Sequence, residues 1–488
     1  FHDWLQHRHT LLRNYPLIAH IRWLFEAIRP EVRQYLFESD TEAAPFARRQ
    51  RSLLYRRAKG VNDKIPFGTE LDVDADGHEW LNPSSVPATV REPAPRVQVG
   101  NDQCAQPYSA SLLNISAMSF GALSAPAVRA LNRGAAAGGF AHDTGEGGVS
   151  AYHREGGGDL IWEIGSGYFG CRDRDGRFSP ERFAEQAVDP QVKMIELKLS
   201  QGAKPGHGGV LPGAKVTPEI AAARGVPAGR DCISPAAHSA FDTPAGMMEF
   251  LGRLRELSGG KPVGFKLCLG HRVEFMALCR AMRETGIVPD FVVVDGSEGG
   301  TGAAPLELTD HVGTPLREGL LFVHNALVGA GLRDRIRIAA AGKITSGFRM
   351  ARNIALGADW CNAARGFMFA LGCIQSQSCH TDRCPTGITT QDAGRQRGLD
   401  VADKSERVRQ FHAHTLGALA EVTGSCGVAH PRSLAPWHLA RRIGTERSET
   451  LDRVYDFLQP GELLDGGGVP FYRDAWQAAR SDRFRPAG

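Results

Sequence analysis

The sequence predicts an α/β fold, a (β/α)8 TIM barrel with a helical N-terminal extension and a C-terminal helical cap. Short β-type apolar runs alternate with helical stretches from residue 112 onward, the pattern of parallel βα units. Eight such runs occur, and nearly every one ends in Gly or polar residues, as strands do when their carboxyl ends line an active site. A chain of 488 residues is long enough for one such barrel with substantial appendages.

Residues 1–110 read as the extension and lead-in. Ile21, Trp23, Leu24, Phe25 and Ile28 surround Arg22 and Glu26, and Pro30 interrupts before Val32 and Leu36, an amphipathic helical pattern. The expectation is a helical layer packed on the main domain, with a membrane-surface helix as the rival. Pro83, Pro87, Pro93 and Pro95 mark an extended lead-in. The barrel is expected over 111–395, with strands at Leu112–Met118, Phe140–Thr144, Leu160–Ile164, Met194–Leu199, Val263–Leu267, Phe291–Asp295, Ile336–Ala341 and Trp360–Ala364. Residues 396–488 carry helix-like stretches at Ser405–Val422 and Thr450–Leu458, the cap.

Composition narrows the function. Lys plus Arg number 57 against 54 Asp plus Glu, without the clustered basic runs of a nucleic-acid binder. No apolar run reaches the roughly 18 residues of a membrane span. A cytoplasmic location is the expectation, with membrane association left open through a segment upstream of Phe1. Three of the ten cysteines crowd together, which points to metal in a reducing compartment; Cys104, Cys268 and Cys361 sit in apolar or small-residue settings and read as buried thiols.

The crowded three are Cys373, Cys379 and Cys384, in a loop spanning 372–391 with Pro385 after the last. Thiolates hold iron–sulfur clusters, and Cys-Pro endings recur in such loops. Three thiols suit a three-iron cluster better than a four-iron one. The rival is zinc bound by these cysteines and His380, although His380 directly follows Cys379, which makes joint ligation awkward. Gly342-Lys343 follows the seventh strand and Arg365-Gly366 the eighth, the two loops where barrels often bind phosphate. Gly165 to Gly170 matches a dinucleotide fingerprint, but an Arg- and Asp-rich loop follows it and no helix, so it reads as a loop. Lys198, Lys204 and Lys266 lie in or just beyond apolar runs, where a cation must be paired or used. Structural ion pairs account for them, and so do an anionic cofactor and a dicarboxylate substrate.

Ordered motifs extend over about 110–395: Met118-Ser119-Phe120-Gly121, Thr144-Gly145-Glu146-Gly147-Gly148, Gln201-Gly202-Ala203-Lys204-Pro205-Gly206, Leu211-Pro212-Gly213, Ile233-Ser234-Pro235, Gly299-Gly300-Thr301-Gly302-Ala303 and the cysteine loop through Gln391. In these the chain resembles the FMN-binding synthase domain of glutamate synthase. The resemblance implies a barrel holding FMN, a [3Fe-4S] cluster beside it on Cys373, Cys379 and Cys384, and reductive amination of 2-oxoglutarate or a related oxo or imino acid. It assigns Met118, Ser119, Lys266, Gly300, Gly342, Arg365 and Gly366 to the flavin. Glu146, Lys198, Gln201 and Lys204 fall on the substrate side.

Two departures bear on the substrate: Val149 replaces an acidic residue, and His207 stands where the family commonly has Glu. The first cysteine is Cys104, so the N-terminal nucleophile of an amidotransferase domain is not expected. No NAD(P)H domain is evident either, so electrons are expected from a partner such as a ferredoxin or a flavoprotein subunit. The competing functions are an FMN enzyme of the 2-hydroxy-acid-oxidase type, which leaves the cysteine loop without work, and a cofactor-bearing electron-transfer subunit without turnover.

Overall fold

The computed structural model describes residues 1–90 and 95–485; Pro93 lies outside the described residues. Eight parallel strands close into a barrel: Leu113–Ile115, His142–Asp143, Leu160–Ile164, Val192–Lys198, Val263–Leu267, Phe291–Asp295, Arg337–Ala341 and Trp360–Ala363. The eighth pairs with the first, Cys361 to Ala363 lying beside Leu113 to Ile115. The eight predicted runs fall on these eight strands. The first two are shorter than expected, because residues 116–118 and Thr144 already belong to the loops at the barrel mouth.

Buried on both faces, the strands are nearly continuous in burial rather than alternating, as parallel strands under helices must be. Alternation survives as direction. Trp162 turns outward to stack on Phe183 of helix Pro180–Ala187 at 5.1 Å, while the neighbouring Glu163 lies against Lys266 of the fifth strand. Register then decides which polar groups meet: Glu163 lies beside Glu196, and Lys198 beside Lys266.

The surrounding helices are capped by their own sequence. Ser124, Ser179, Thr243 and Ser346 each accept a hydrogen bond from a first-turn backbone N–H, satisfying donors that a helix start leaves open. A long helix, Val401–Ser425, packs Val408, Phe411, Leu416 and Leu419 inward. It approaches helix Ala125–Gly138 so closely that a Cβ at Gly134 would lie 2.5 Å from Val408 Cγ1. Besides helices, the C-terminal stretch carries strands Leu439–Ile443 and Arg447–Thr450, which join Glu79–Leu81 in an antiparallel sheet. The lead-in is therefore part of the cap. It also supplies Arg96–Val99, paired with Tyr108–Ser111.

The N-terminal extension corrects the expectation of a packed layer. Within residues 1–60 the packing runs chiefly through Phe46 and helix Arg48–Lys59, which buries Leu54 and Ala58 beside the long C-terminal helix. Helix Ile18–Val32 runs through Pro30 into a π-helical turn at Arg33–Phe37, and Ile18, Ile21, Leu24 and Phe25 stay exposed. Its apolar stripe is real, but no element of the described chain covers it. Among the described residues no helix is long and apolar enough to cross a membrane.

Candidate active site

The barrel's polar interior begins with a buried charge cluster. Asp143, Glu163 and Glu196 bring carboxylate oxygens within 4.8 Å of one another, and Lys266 is paired with Glu163 and, at 3.1 Å, with Glu196. Burial drives Asp143 up, and the neighbouring Glu196 and Glu163 charges push it further. Glu196 is raised to about 7 by burial, against the pull of Lys266. Lys266 itself is held protonated because its carboxylate partners outweigh the cost of burial. Its ammonium is thus engaged with carboxylates inside the barrel, the paired alternative open for it in the sequence.

Toward the mouth, Glu163 lies 3.8 Å from Lys198, and Lys198 Nζ donates to Glu146 Oε2 at 3.0 Å. Burial pushes Glu146 up, but Lys198, Arg224 and Lys204 outweigh it and keep the carboxyl below its ordinary range. Lys198 and Lys266 sit side by side in register, so the interior charges form a row from Glu196 to Glu146. That row ends in a small cleft lined by Glu146, Ser166, Lys198, Gln201, His207 and Gly209. His238 fixes the Lys198 backbone, one ring nitrogen facing the Lys198 carbonyl at 2.8 Å and the other the Tyr168 hydroxyl at 3.1 Å.

The cleft's cover is the long segment between the fourth and fifth strands. Its backbone starts at Gly202, whose N–H donates to Asp295 at 2.9 Å; Gln201 donates to Thr301 Oγ1 at 3.2 Å and Lys204 to the Ala303 carbonyl at 3.1 Å. The Gln201–Lys204 and Gly299–Ala303 motifs, remote in sequence, are therefore one contact. Gly209 lies so close to Glu146 that any Cβ there would collide with the carboxylate.

Other glycines make a cradle. A Cβ on Gly145 would lie 2.6 Å from the Ser119 nitrogen, and one on Gly300 would lie 2.8 Å from Arg365 Nε. Arg365 also bonds the Thr301 carbonyl. Met118 and Ser119 thus lie against Gly145, and Arg365, which with Gly366 opens helix Arg365–Leu371, lies against Gly300. Gly342 has φ +136 and Lys343 φ +46, so the loop after the seventh strand turns sharply. Burial lowers both Lys343 and Arg349, and among the described residues neither forms an ion pair with a carboxylate within 4.0 Å.

All ten cysteines are free thiols. Cys373 follows the helix Arg365–Leu371, which ends at Gly372 with φ +102. Gln375, Gln377 and Asp382 also take left-handed backbone, as does Gly387, so the loop coils tightly between its three thiols. Burial pushes the Cys373 thiol up. At Cys384 burial acts in the same direction, but hydrogen bonds from Thr386 and Thr389 outweigh it and leave the thiol below its ordinary value. His380 is exposed whereas Cys384 is buried. The loop is braced from the N-terminal extension: Tyr55 donates to the Cys373 carbonyl at 2.5 Å and Gln34 to the Ile374 carbonyl at 3.0 Å.

Residues 89–429, spanning the barrel, its mouth loops and the cysteine loop, match the family profile described as a conserved region in glutamate synthase. The chain belongs to the glutamate synthase family. Within it, the chain is 38% identical over 480 residues to the "Glutamate synthase large subunit-like protein YerD" of Bacillus subtilis, with 90% of this chain and 91% of that protein covered. It is 34% identical over 320 residues to the "Archaeal-type glutamate synthase [NADPH]" of Thermotoga neapolitana, covering 65% of this chain but 60% of that protein. Against the "Glutamate synthase [NADPH] large chain" of Bacillus subtilis the match is 32% over 339 residues and takes in 21% of the larger protein. Among solved structures, mandelate oxidase covers 81% of this chain and 98% of its own at 16% identity and a TM-score of 0.47, a loose likeness in overall shape.

Two cations of this glutamate synthase relative escaped the sequence reading. Arg224 is buried, donates to the Phe120 carbonyl at 3.1 Å and lies over the Phe169 ring at 5.1 Å, with Nε left without a hydrogen-bond partner. Arg349 sits beside the Gly342 loop, donating to the Lys343 carbonyl at 2.9 Å. Both lie on helices, where an Arg reads as a solvent-facing residue until the neighbouring loops are known. The only available signal was burial of a helix face, and periodicity does not mark which Arg turns inward.

Proposed function

We propose that this chain is an FMN- and [3Fe-4S]-dependent oxidoreductase of the glutamate synthase type. It reductively aminates 2-oxoglutarate or a related oxo acid through the imine, with electrons from an external donor such as a ferredoxin or a flavoprotein subunit. The observation that carries the reading is the charge arrangement at the mouth. Lys198, Lys204 and Arg224 all act on Glu146, with Glu163 3.8 Å from Lys198, a cluster of cations that suits an anionic, dicarboxylate substrate.

The residues present fit both groups. The glycines at 145 and 300 leave room for a flat ring where a Cβ would intrude, and Lys343 and Arg349 supply positive charge, unpaired at ion-pair distance among the described residues, to a phosphate at the loops after the seventh and eighth strands. Ser119, Gly342, Arg365 and Gly366 would complete that site. Three thiols on a tightly coiled loop are the soft donors that iron requires, and the exposure of His380 weighs against zinc. When bound, the flavin supplies hydride transfer and the cluster single-electron transfer.

The chain's own residues do the positioning. Lys198 Nζ, which lines the cleft, and Lys204 Nζ bind substrate carboxylates, and charge-assisted bonds of this kind fix orientation as well as affinity. Glu146 Oε2 accepts a hydrogen bond from Lys198 Nζ and so orients it toward the cleft. The segment carrying Gln201 and Gly209 lies over the cleft and excludes water. His207 and Val149 near this cover leave the amine donor to be tested, and glutamine hydrolysis is not expected of these residues.

The test is anaerobic. The purified, chemically reduced protein is mixed with oxo acids, with and without ammonia or methylamine, and flavin reoxidation is followed optically. Reoxidation by 2-oxoglutarate or a close analogue, dependent on the amine, is the expected result. Reoxidation by none of them, while an artificial acceptor reoxidises the flavin, overturns the reading.

A further inference from the structure

We propose that Lys215 is a positioning residue for the iron–sulfur loop: its buried ammonium fixes the Cys379 segment and places positive charge beside the cluster, raising the cluster's reduction potential. The inference rests on the reading that Cys373, Cys379 and Cys384 hold that cluster.

The geometry is unusual for a lysine. Lys215 is 2% exposed and follows Leu211-Pro212-Gly213 in a short 3-10 turn at Gly213–Lys215. Its Nζ donates to three backbone carbonyls from separate segments: Ala122 at 3.0 Å, Thr389 at 2.9 Å and Cys379 at 3.4 Å. All three protons are thereby spent, and the cover of the cleft is tied to the loop after the first strand and to both arms of the cysteine loop. Gln391 reinforces the same junction, donating to the Gly121 carbonyl at 3.1 Å.

Hydrogen bonds satisfy the donors but not the charge. Burying an ammonium is costly unless an anion compensates it. Among the described residues no carboxylate lies within 4.0 Å of Lys215 Nζ; Asp382, on the same cysteine loop, acts from farther away and spends an oxygen on the Gln391 N–H at 2.7 Å. Two other buried lysines of the chain differ. Lys266 has two carboxylate partners. Lys261 bonds the Ala187 carbonyl, at the end of helix Pro180–Ala187, where the helix dipole supplies negative charge. Lys215 has neither. Three thiolates and their cluster, which carry net negative charge, are the missing counter-ion, and a nearby cation favours the reduced, more negative cluster.

The test compares the full-length wild type with Lys215→Met, Lys215→Gln and Lys215→Arg after anaerobic reconstitution. Iron and acid-labile sulfide are measured per chain, and cluster and flavin midpoints by EPR-monitored and optical redox titration. The neutral variants are expected to show a cluster midpoint shifted to lower potential with the flavin midpoint unmoved, and lower iron retention. Lys215→Arg is expected to keep the wild-type potential. A neutral variant with a full cluster at the wild-type midpoint overturns the proposal. So does collapse of the barrel in both neutral variants, read by far-UV circular dichroism, which would make Lys215 a support of the whole fold. A wild-type chain without iron and sulfide instead overturns the cluster reading beneath it.

Discussion

Tyr55, on a helix of the N-terminal extension, donates its hydroxyl proton to the backbone carbonyl of Cys373 at 2.5 Å. The contact joins residues more than three hundred positions apart, and the ring packs edge-on against Phe369 at 5.8 Å. The extension is therefore a brace on the cysteine loop. Tyr55→Phe keeps the ring and removes the bond, at a cost of about 1 kcal/mol. The variant is expected to lose iron to a chelator faster than the wild type while keeping its flavin, which metal analysis over time decides.

The cradle at Gly300 makes a second prediction. Gly300→Ala places a methyl 2.8 Å from Arg365 Nε, so the guanidinium is expected to shift from its place against the Thr301 carbonyl. FMN affinity is expected to fall roughly tenfold or more, about 1.4 kcal/mol. Fluorescence titration of the apoprotein with FMN measures this, and FAD is expected to bind less well than FMN in the same assay.

Lys198→Met removes the cation nearest Glu146 and the centre of the charge row. The loss of a charge-assisted contact, about 2 kcal/mol, predicts a 2-oxoglutarate dissociation constant raised some thirtyfold, with flavin content unchanged. Difference spectra of the oxidised protein report the binding directly. Unchanged affinity would place the carboxylate clamp elsewhere.

A pH dependence follows from His412, which stacks on Phe140 at 3.9 Å and meets Ser111 Oγ at 2.9 Å. Burial lowers its pKa to about 3. A depressed imidazole is neutral in the folded chain, so its contribution to stability is fully present above the ordinary value near 6.5 and is lost as pH falls toward 3. Each unit in that window costs about 1.4 kcal/mol. His412→Gln is expected to lower the thermal midpoint slightly at pH 7 and to reduce the drop between pH 7 and pH 5. An equal drop in both proteins would show that His412 does not carry the acid sensitivity.

By itself the sequence determined the barrel, because a parallel strand buried on both faces must be an apolar run of a few residues and these runs recur between helices. It also determined the thiol set and the order of the mouth loops, since Cys373, Cys379 and Cys384 are local to one segment and glycines after strands are visible in one dimension. Tertiary structure alone decided the partners. Lys266 turned out to be paired inside the barrel because strand register brings Glu163, Glu196 and Lys266 together, and register is not written in any one strand. Arg224, Arg349 and Lys215 became site residues because loops far away in sequence fold against them. The apolar stripe of Ile18–Val32 predicted a helix correctly but not its packing, for amphipathicity states that a face is apolar and leaves to the fold whether anything covers it.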